Sequence, residues 1–143
     1  MYRPEPSRPT PVMTYEQMLE RIQYEGAYPT RERADRAARA VLAGLGRQLT
    51  GQERADLSAA LPIEAALALS GQAPAAEALT GWGFVKDLAT RTGTSPAIAR
   101  WDTGSVFSAL AALAGPDLLA RTIAQLPPGY ALLFGQAELV QAA

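Results

Sequence analysis

Cysteine and histidine are both absent from the 143 residues, and lysine occurs once, at Lys86. Without cysteine there are no disulfides, thiolate zinc sites, iron–sulfur clusters or cysteine nucleophiles. Without histidine the commonest general base and the commonest metal ligand are missing. Serine and threonine nucleophiles therefore have no histidine partner, and a Ser–Lys pair would have to use Lys86, near which the sequence positions no serine. No catalytic, cofactor-binding or metal-ligating residue is assigned, and neither an enzyme nor a bound cofactor is expected.

An excess of one charge is also missing. Lysine and arginine number 13 against 14 aspartates and glutamates, a net charge of −1. Sequence-independent nucleic-acid binding rests on a basic excess that neutralises phosphates, so nucleic acid is not an expected partner. The charge is unevenly spread: residues 1–70 hold nine basic and nine acidic side chains, residues 71–143 only four and five. Long apolar runs are lacking too. Met1 to Val12 has no apolar stretch of signal-peptide length, and Glu64 interrupts the run Ala59–Leu69, so no membrane span is expected and the predicted setting is cytoplasmic. A chain of this length buries roughly 68–70% of its unfolded surface and folds without covalent staples.

What is present is a self-match. Leu61-Pro62 recurs 65 positions later as Leu126-Pro127, and at that offset Ala34 falls on Ala99, Val41 on Val106, Leu42 on Phe107, Leu45 on Leu110 and Ala55 on Ala120. Upstream the offset is 66, pairing Met18 with Phe84, Leu19 with Val85 and Ile22 with Leu88. One residue gained in a loop accounts for the difference.

The periodicity is helical throughout. Tyr15, Met18, Leu19 and Ile22 stand at i, i+3, i+4, i+7, and Phe84, Val85 and Leu88 repeat the pattern, giving two first helices. The longest helices carry Ala34, Ala37, Ala38, Val41, Leu42, Leu45 and Leu49, then Ile98, Trp101, Val106, Phe107, Leu110 and Leu113. Third helices carry Leu57 and Leu61, then Leu119, Ile123 and Leu126. Pro62 and Pro127 stop them, and short restarts follow at Ile63–Leu69 and Gly129–Phe134. Capping boxes are predicted at Thr14/Gln17 and Thr50/Glu53, Ser95-Pro96 and Gly115-Pro116 mark further starts, and Gly26 and Gly93 are placed as left-handed caps.

No segment alternates like a strand, so the expected fold is all-α. Two tandem repeats of three to four helices, with a period of about 65 residues, pack into one compact bundle-like domain. The divisions are a proline-rich arm over 1–13, repeat 1 over 14–69, a linker over 70–80, repeat 2 over 81–135 and a tail over 136–143.

Few side chains stand out chemically. Arg33, Arg36, Arg39 and Arg47 share one side of the second helix; Glu32 and Asp35, four residues before Arg36 and Arg39, make it read as a solvated ion-paired face, with an acidic-protein or RNA contact as the alternative. Asp102 borders an apolar stripe and needs a partner, which Lys86, Arg91 or Arg100 would supply. Trp82 and Trp101 are expected in the core or between repeats. Gly81-Trp82-Gly83 lacks the remaining features of a phosphate loop.

The segment 122–135, TIAQLPPGYALLFG, carries a recognisable motif: Gln125-Leu126-Pro127-x-x-Tyr130-x-x-Leu133-Phe134-Gly135. With Ala38-x-x-Val41-Leu42-x-x-Leu45 and the first Leu61-Pro62, it resembles the bacterial family of unknown function numbered 2267, over roughly residues 14–135. The resemblance implies a short all-helical protein carrying this unit twice and a bacterial cytoplasmic setting, and supplies no activity. The chain departs from the pattern at Leu69, which stands where the second copy has Phe134.

The functional expectation is a non-enzymatic module that binds another macromolecule or assembles with itself. Its expected contacts are Tyr130, Leu133 and Phe134 of the Leu-Pro segment, with Arg36 and Arg39, and the proline-rich arm as a clamp. The alternative is an apolar small-molecule carrier or sensor with a cavity between repeats lined by Met18, Phe84, Trp101 and Phe107.

Overall fold

Among the residues that the computed structural model describes, 13–136, eight helices form and no strand occurs, and many of the helix boundaries follow from local signals. The arm expected over 1–13 and the tail expected over 136–143 lie, apart from Met13 and Gln136, outside those residues. Helix α1 (Tyr15–Gly26) starts on the expected capping box: the Gln17 N–H donates to Thr14 Oγ1 at 3.2 Å and the Thr14 N–H donates to Gln17 Oε1 at 2.9 Å. Its left-handed cap is Ala27, at φ 51°, and not Gly26. Gly26 lies within the helix at a position that admits no side chain, because a Cβ there would overlap the Tyr28 ring and come within 2.8 Å of Ser105 Oγ.

Helix α2 (Arg31–Gln48) is capped by Thr30, and its stripe Ala34, Ala37, Ala38, Val41, Leu42 and Leu45 is buried as the spacing predicts. Helices α3 (Gly51–Ala60) and α4 (Ile63–Ser70) are separated by Leu61-Pro62, and α7 (Pro116–Gln125) and α8 (Tyr130–Leu133) by the segment that begins at Leu126-Pro127. Leu61 and Leu126 are extended, at ψ 153° in each case, because a residue before proline avoids the helical region. The box expected at Thr50/Glu53 does not form. Gln125 of α7 takes both partners instead: the Thr50 N–H donates to its Oε1 at 3.0 Å, while its Nε2 donates to the Thr50 carbonyl and to Glu53 Oε2. Helix α5 (Gly81–Thr92) is capped by Thr80, and α6 (Pro96–Ala114) by Ser95 with proline in its first turn.

The two long helices organise the rest. Helix α2 packs on α1, α4, α5 and α6, and α6 packs on α1, α2, α5, α7 and α8. Between α2 and α4 the approach is so close that a Cβ at Gly46 would collide with the Leu69 carbonyl. The irregular stretch 71–80 is tied down: Ala75 N–H donates to Arg47 O at 2.8 Å, Leu79 N–H to Gln48 Oε1 at 2.8 Å, and Tyr130 Oη to Leu79 O at 2.9 Å. Aromatic rings fill the centre. Phe107 stacks on Phe134 at 4.0 Å between centroids, and Phe84 meets both Phe107 and Tyr130 at 5.8 Å.

Helix α6 buries the expected Val106, Phe107, Leu110 and Leu113, but its N-terminal half turns a different face inward. Its buried positions are Ala99, Asp102, Thr103, Ser105, Val106, Phe107, Ala109, Leu110 and Leu113, whereas Ile98 and Trp101 are exposed. Stepping back from Val106 and Phe107 by three and four residues reaches Asp102 and Thr103, not Ile98 and Trp101, which lie about 100° around the helix from Ala99 and Asp102. Apolar character misled at this end because the α6 seam is polar there.

Candidate functional site

Three elements meet at the polar seam of α6. The first is the turn between α1 and α2, residues 27–30, the second is the first turn of α2, and the third is the stretch Trp101–Ser105. The Tyr28 hydroxyl donates to Asp102 Oδ1 at 2.6 Å, and Arg33 Nη2 donates to both Asp102 oxygens, at 3.1 and 3.0 Å. The Arg33 guanidinium also stacks over the Tyr28 ring, 4.9 Å from its centroid. Next to this network the Trp101 indole N–H donates to the Gly26 carbonyl at 2.8 Å, and Ser105 Oγ donates to Trp101 O at 2.9 Å. The turn is thereby clamped to α6 by contacts 69 to 75 residues apart in sequence.

The electrostatics are those of a closed polar knot. Burial and the hydrogen bond to Asp102 raise the Tyr28 phenol well above its ordinary range, with the Ser105 hydroxyl pulling the other way, so Tyr28 remains a donor. Asp102 is 7% exposed, and the partner that satisfies it is Arg33 from α2, not the expected Lys86, Arg91 or Arg100. Arg91 is instead bound to Asp87 at 2.7 Å, four residues earlier on its own helix. Sequence reasoning missed Arg33 because the pairing depends on how α2 and α6 pack, and it missed Tyr28 because a turn residue shows no periodicity.

Arg33 has a second side. A groove of about 290 Å³ runs between α2, the end of α5 and α6; it is lined by Arg33, Arg36, Ala37, Ala40, Thr92, Thr94 and Asp102. Arg36 is exposed and forms no ion pair among the described residues, while Arg39 pairs with Asp35 at 2.9 Å and stacks over the Tyr15 ring. The expected solvated, paired face is thus seen at Arg39 only.

The other expected contact residues are placed differently. Tyr130, Leu133 and Phe134 are core residues, 0%, 6% and 6% exposed, so they present no docking face. They are buried because α8 packs on α6, with Tyr130 edge-on to Phe84 and Phe134, which follows α8, stacked on Phe107. Met18, Phe84 and Phe107 are likewise buried in the packed core, while Trp101 is 56% exposed. Of the four, Trp101 alone borders any of three surface grooves formed by described residues. Trp101 borders a shallow groove of about 200 Å³ with Glu25, Arg100, Gly104 and Ser105. Trp82, also expected inside, is 60% exposed on the first turn of α5.

Among the described residues no three acidic side chains gather as metal ligands would, and no helix is long and apolar enough to cross a membrane. No curated protein matches the chain. A family match does extend over residues 15–133, nearly the span on which the Leu-Pro motifs raised the resemblance. The chain therefore belongs to the family described as "Uncharacterized conserved protein (DUF2267)".

Proposed function

We propose that the protein is a non-enzymatic module that associates with another macromolecule, a second copy of itself included, through the exposed apolar residues where α1 ends against α6. The carrying observation is Trp101. More than half of its surface is exposed, yet its indole N–H is fixed to the Gly26 carbonyl, so the ring is held in one orientation at the surface. Ile98, three residues before it on the same face, is 45% exposed. Tryptophan and tyrosine are the residues that most often anchor interfaces, and a ring already fixed in place loses little entropy on binding. Covering about 100 Å² of such a ring contributes about 2.5 kcal/mol before the costs of association.

The tandem-repeat organisation and the cytoplasmic setting belong to the same proposal. In support of the repeats, Gly51–Ala60 and Pro116–Gln125 have bounds 65 residues apart, and Tyr15–Gly26 and Gly81–Thr92 bounds 66 apart. Packing pairs also recur in equivalent form: α1 on α2 with α5 on α6, and α1 on α6 with α5 on α2. Asp56 and Arg121, equivalent at the 65-residue offset, bond to each other at 3.1 Å, as residues beside a two-fold axis would.

Sedimentation equilibrium over a wide concentration range, with native mass spectrometry of the protein from its source, tests the association. The expected result is a mass that rises with concentration or a bound macromolecule, lost in an Ile98→Ser/Trp101→Ser variant of unchanged helicity. A monomer at every concentration with nothing bound overturns the proposal.

A further inference from the structure

The network around Asp102 leaves Arg33 partly unused. Only Nη2 donates to the carboxylate, and neither Nε nor Nη1 has a hydrogen-bond partner among the described residues. Neither atom is among the buried unpaired groups, and the side chain keeps 25% of its surface. Those N–H groups therefore reach accessible space, and Arg33 borders the 290 Å³ groove between α2, the end of α5 and α6.

The groove has the chemistry of an anion site. It holds two guanidiniums, Arg33 and Arg36, against one carboxylate, Asp102, which Arg33 and Tyr28 already satisfy. The planar Nε/Nη fork of arginine matches two oxygens of a carboxylate or phosphate, and charge-assisted bonds of this kind are the strong ones. Arg33 is also held in advance, between the Asp102 carboxylate and the Tyr28 ring, so its ordering is not charged to binding. Ala37 and Ala40 contribute only methyl groups, leaving room for a ligand to approach α2. At the far wall Thr94 Oγ1 lies 2.9 Å from Thr92 Oγ1, whose proton goes to the Leu88 carbonyl, so Thr94 donates to Thr92 and the two hydroxyls form a closed polar wall that leaves the anion-binding donors to the arginines.

We infer that this groove binds an oxyanion, a carboxylate or phosphate group, with Arg33 and Arg36 as the charged donors. The group could be carried by a free small molecule or by an acidic side chain of a protein partner; the recognition chemistry is shared. The site is separate from the Trp101 face, and its occupancy does not depend on association there.

The test is a titration of the 143-residue chain, at constant ionic strength, with sodium phosphate, sodium acetate and an oligoglutamate peptide, followed by backbone amide NMR shifts. The expected result is saturable movement of the amides of Arg33 to Ala40 and of Thr92 to Thr94. Arg36→Gln, a change at an exposed residue, should weaken it about tenfold, and Arg36→Lys should restore part of the loss. Binding of phosphate or acetate at least as tight as that of the peptide identifies a small-molecule ligand; tighter peptide binding identifies an acidic partner segment. Shifts that do not saturate with any of the three probes, or that are unchanged in Arg36→Gln, overturn the inference. The Ile98→Ser/Trp101→Ser variant should bind the ions normally, so failure of the association proposal is told apart from failure of this one.

Discussion

The Arg33–Asp102 contact should be the most strongly coupled polar pair among the described residues, and its energy is open to measurement. Removing one member of a fully buried ion pair costs about 3–5 kcal/mol, because a charge is left desolvated without a partner. Here the side chains are 25% and 10% exposed, so water screens the arginine in part. Asp102 also keeps the Tyr28 hydroxyl when Arg33 is lost. These reductions put the cost of Arg33→Gln at about 2–3 kcal/mol. Asp102→Asn should cost less, about 1–2 kcal/mol, since the released guanidinium can turn to solvent. The double variant removes a pair already broken, so the two losses should fail to add by about 1–2 kcal/mol. Against a total stability on the order of 5–15 kcal/mol these are large effects. Urea unfolding followed by far-UV circular dichroism, on the wild type, both single variants and the double, supplies the cycle. The coupling should persist at high salt, because pairs out of water are poorly screened. Additivity within about 0.5 kcal/mol, or a loss below about 1 kcal/mol for Arg33→Gln, would refute the reasoning and reduce the pair to an ordinary surface bridge.

Two further outcomes follow from packing and from titration. In an ordinary helix interior Gly→Ala stabilises by about 1 kcal/mol, but Gly46→Ala should destabilise by about 2–3 kcal/mol, because its Cβ meets the fixed Leu69 backbone; urea denaturation decides the sign. Tyr15, Tyr28 and Tyr130 each have phenols raised well above the ordinary value, chiefly by burial, with Asp35 and Asp102 adding to the first two and Asp87 to the third. A raised folded-state value means the contribution is complete below the unfolded phenol value, near about pH 10, and is lost as pH rises toward the folded one. Unfolding free energy should therefore fall above about pH 10, and Tyr28→Phe should flatten part of that fall; a stability unchanged there counts against burial as the cause.

Legibility differed between helix and seam. The α2 stripe was readable because alanine, valine and leucine at helical spacing bury the same face whatever they pack against, and the proline stops at Pro62 and Pro127 act through the local backbone. Gln125 displaced the Thr50 capping box because a partner helix brought a better-placed amide. Trp101 and Trp82 illustrate the limit of hydropathy. Both are expected in the core or between repeats, Trp101 on its helical spacing, yet the structure exposes them, while Asp102 and Thr103 occupy the seam of α6.

The sequence by itself determined the helical class, most helix boundaries, the family and the absence of cysteine and histidine, since these depend on residue type and on neighbours three or four positions away. Only the tertiary structure decided that Arg33 meets Asp102, that Tyr28 closes the knot, and that Tyr130 and Phe134 belong to the core. Those outcomes depend on how α2, α6 and α8 rotate and approach one another. A rotation of one residue, about 100°, exchanges a buried side chain for an exposed one, and that choice is made by the whole packed core and not by the local pattern.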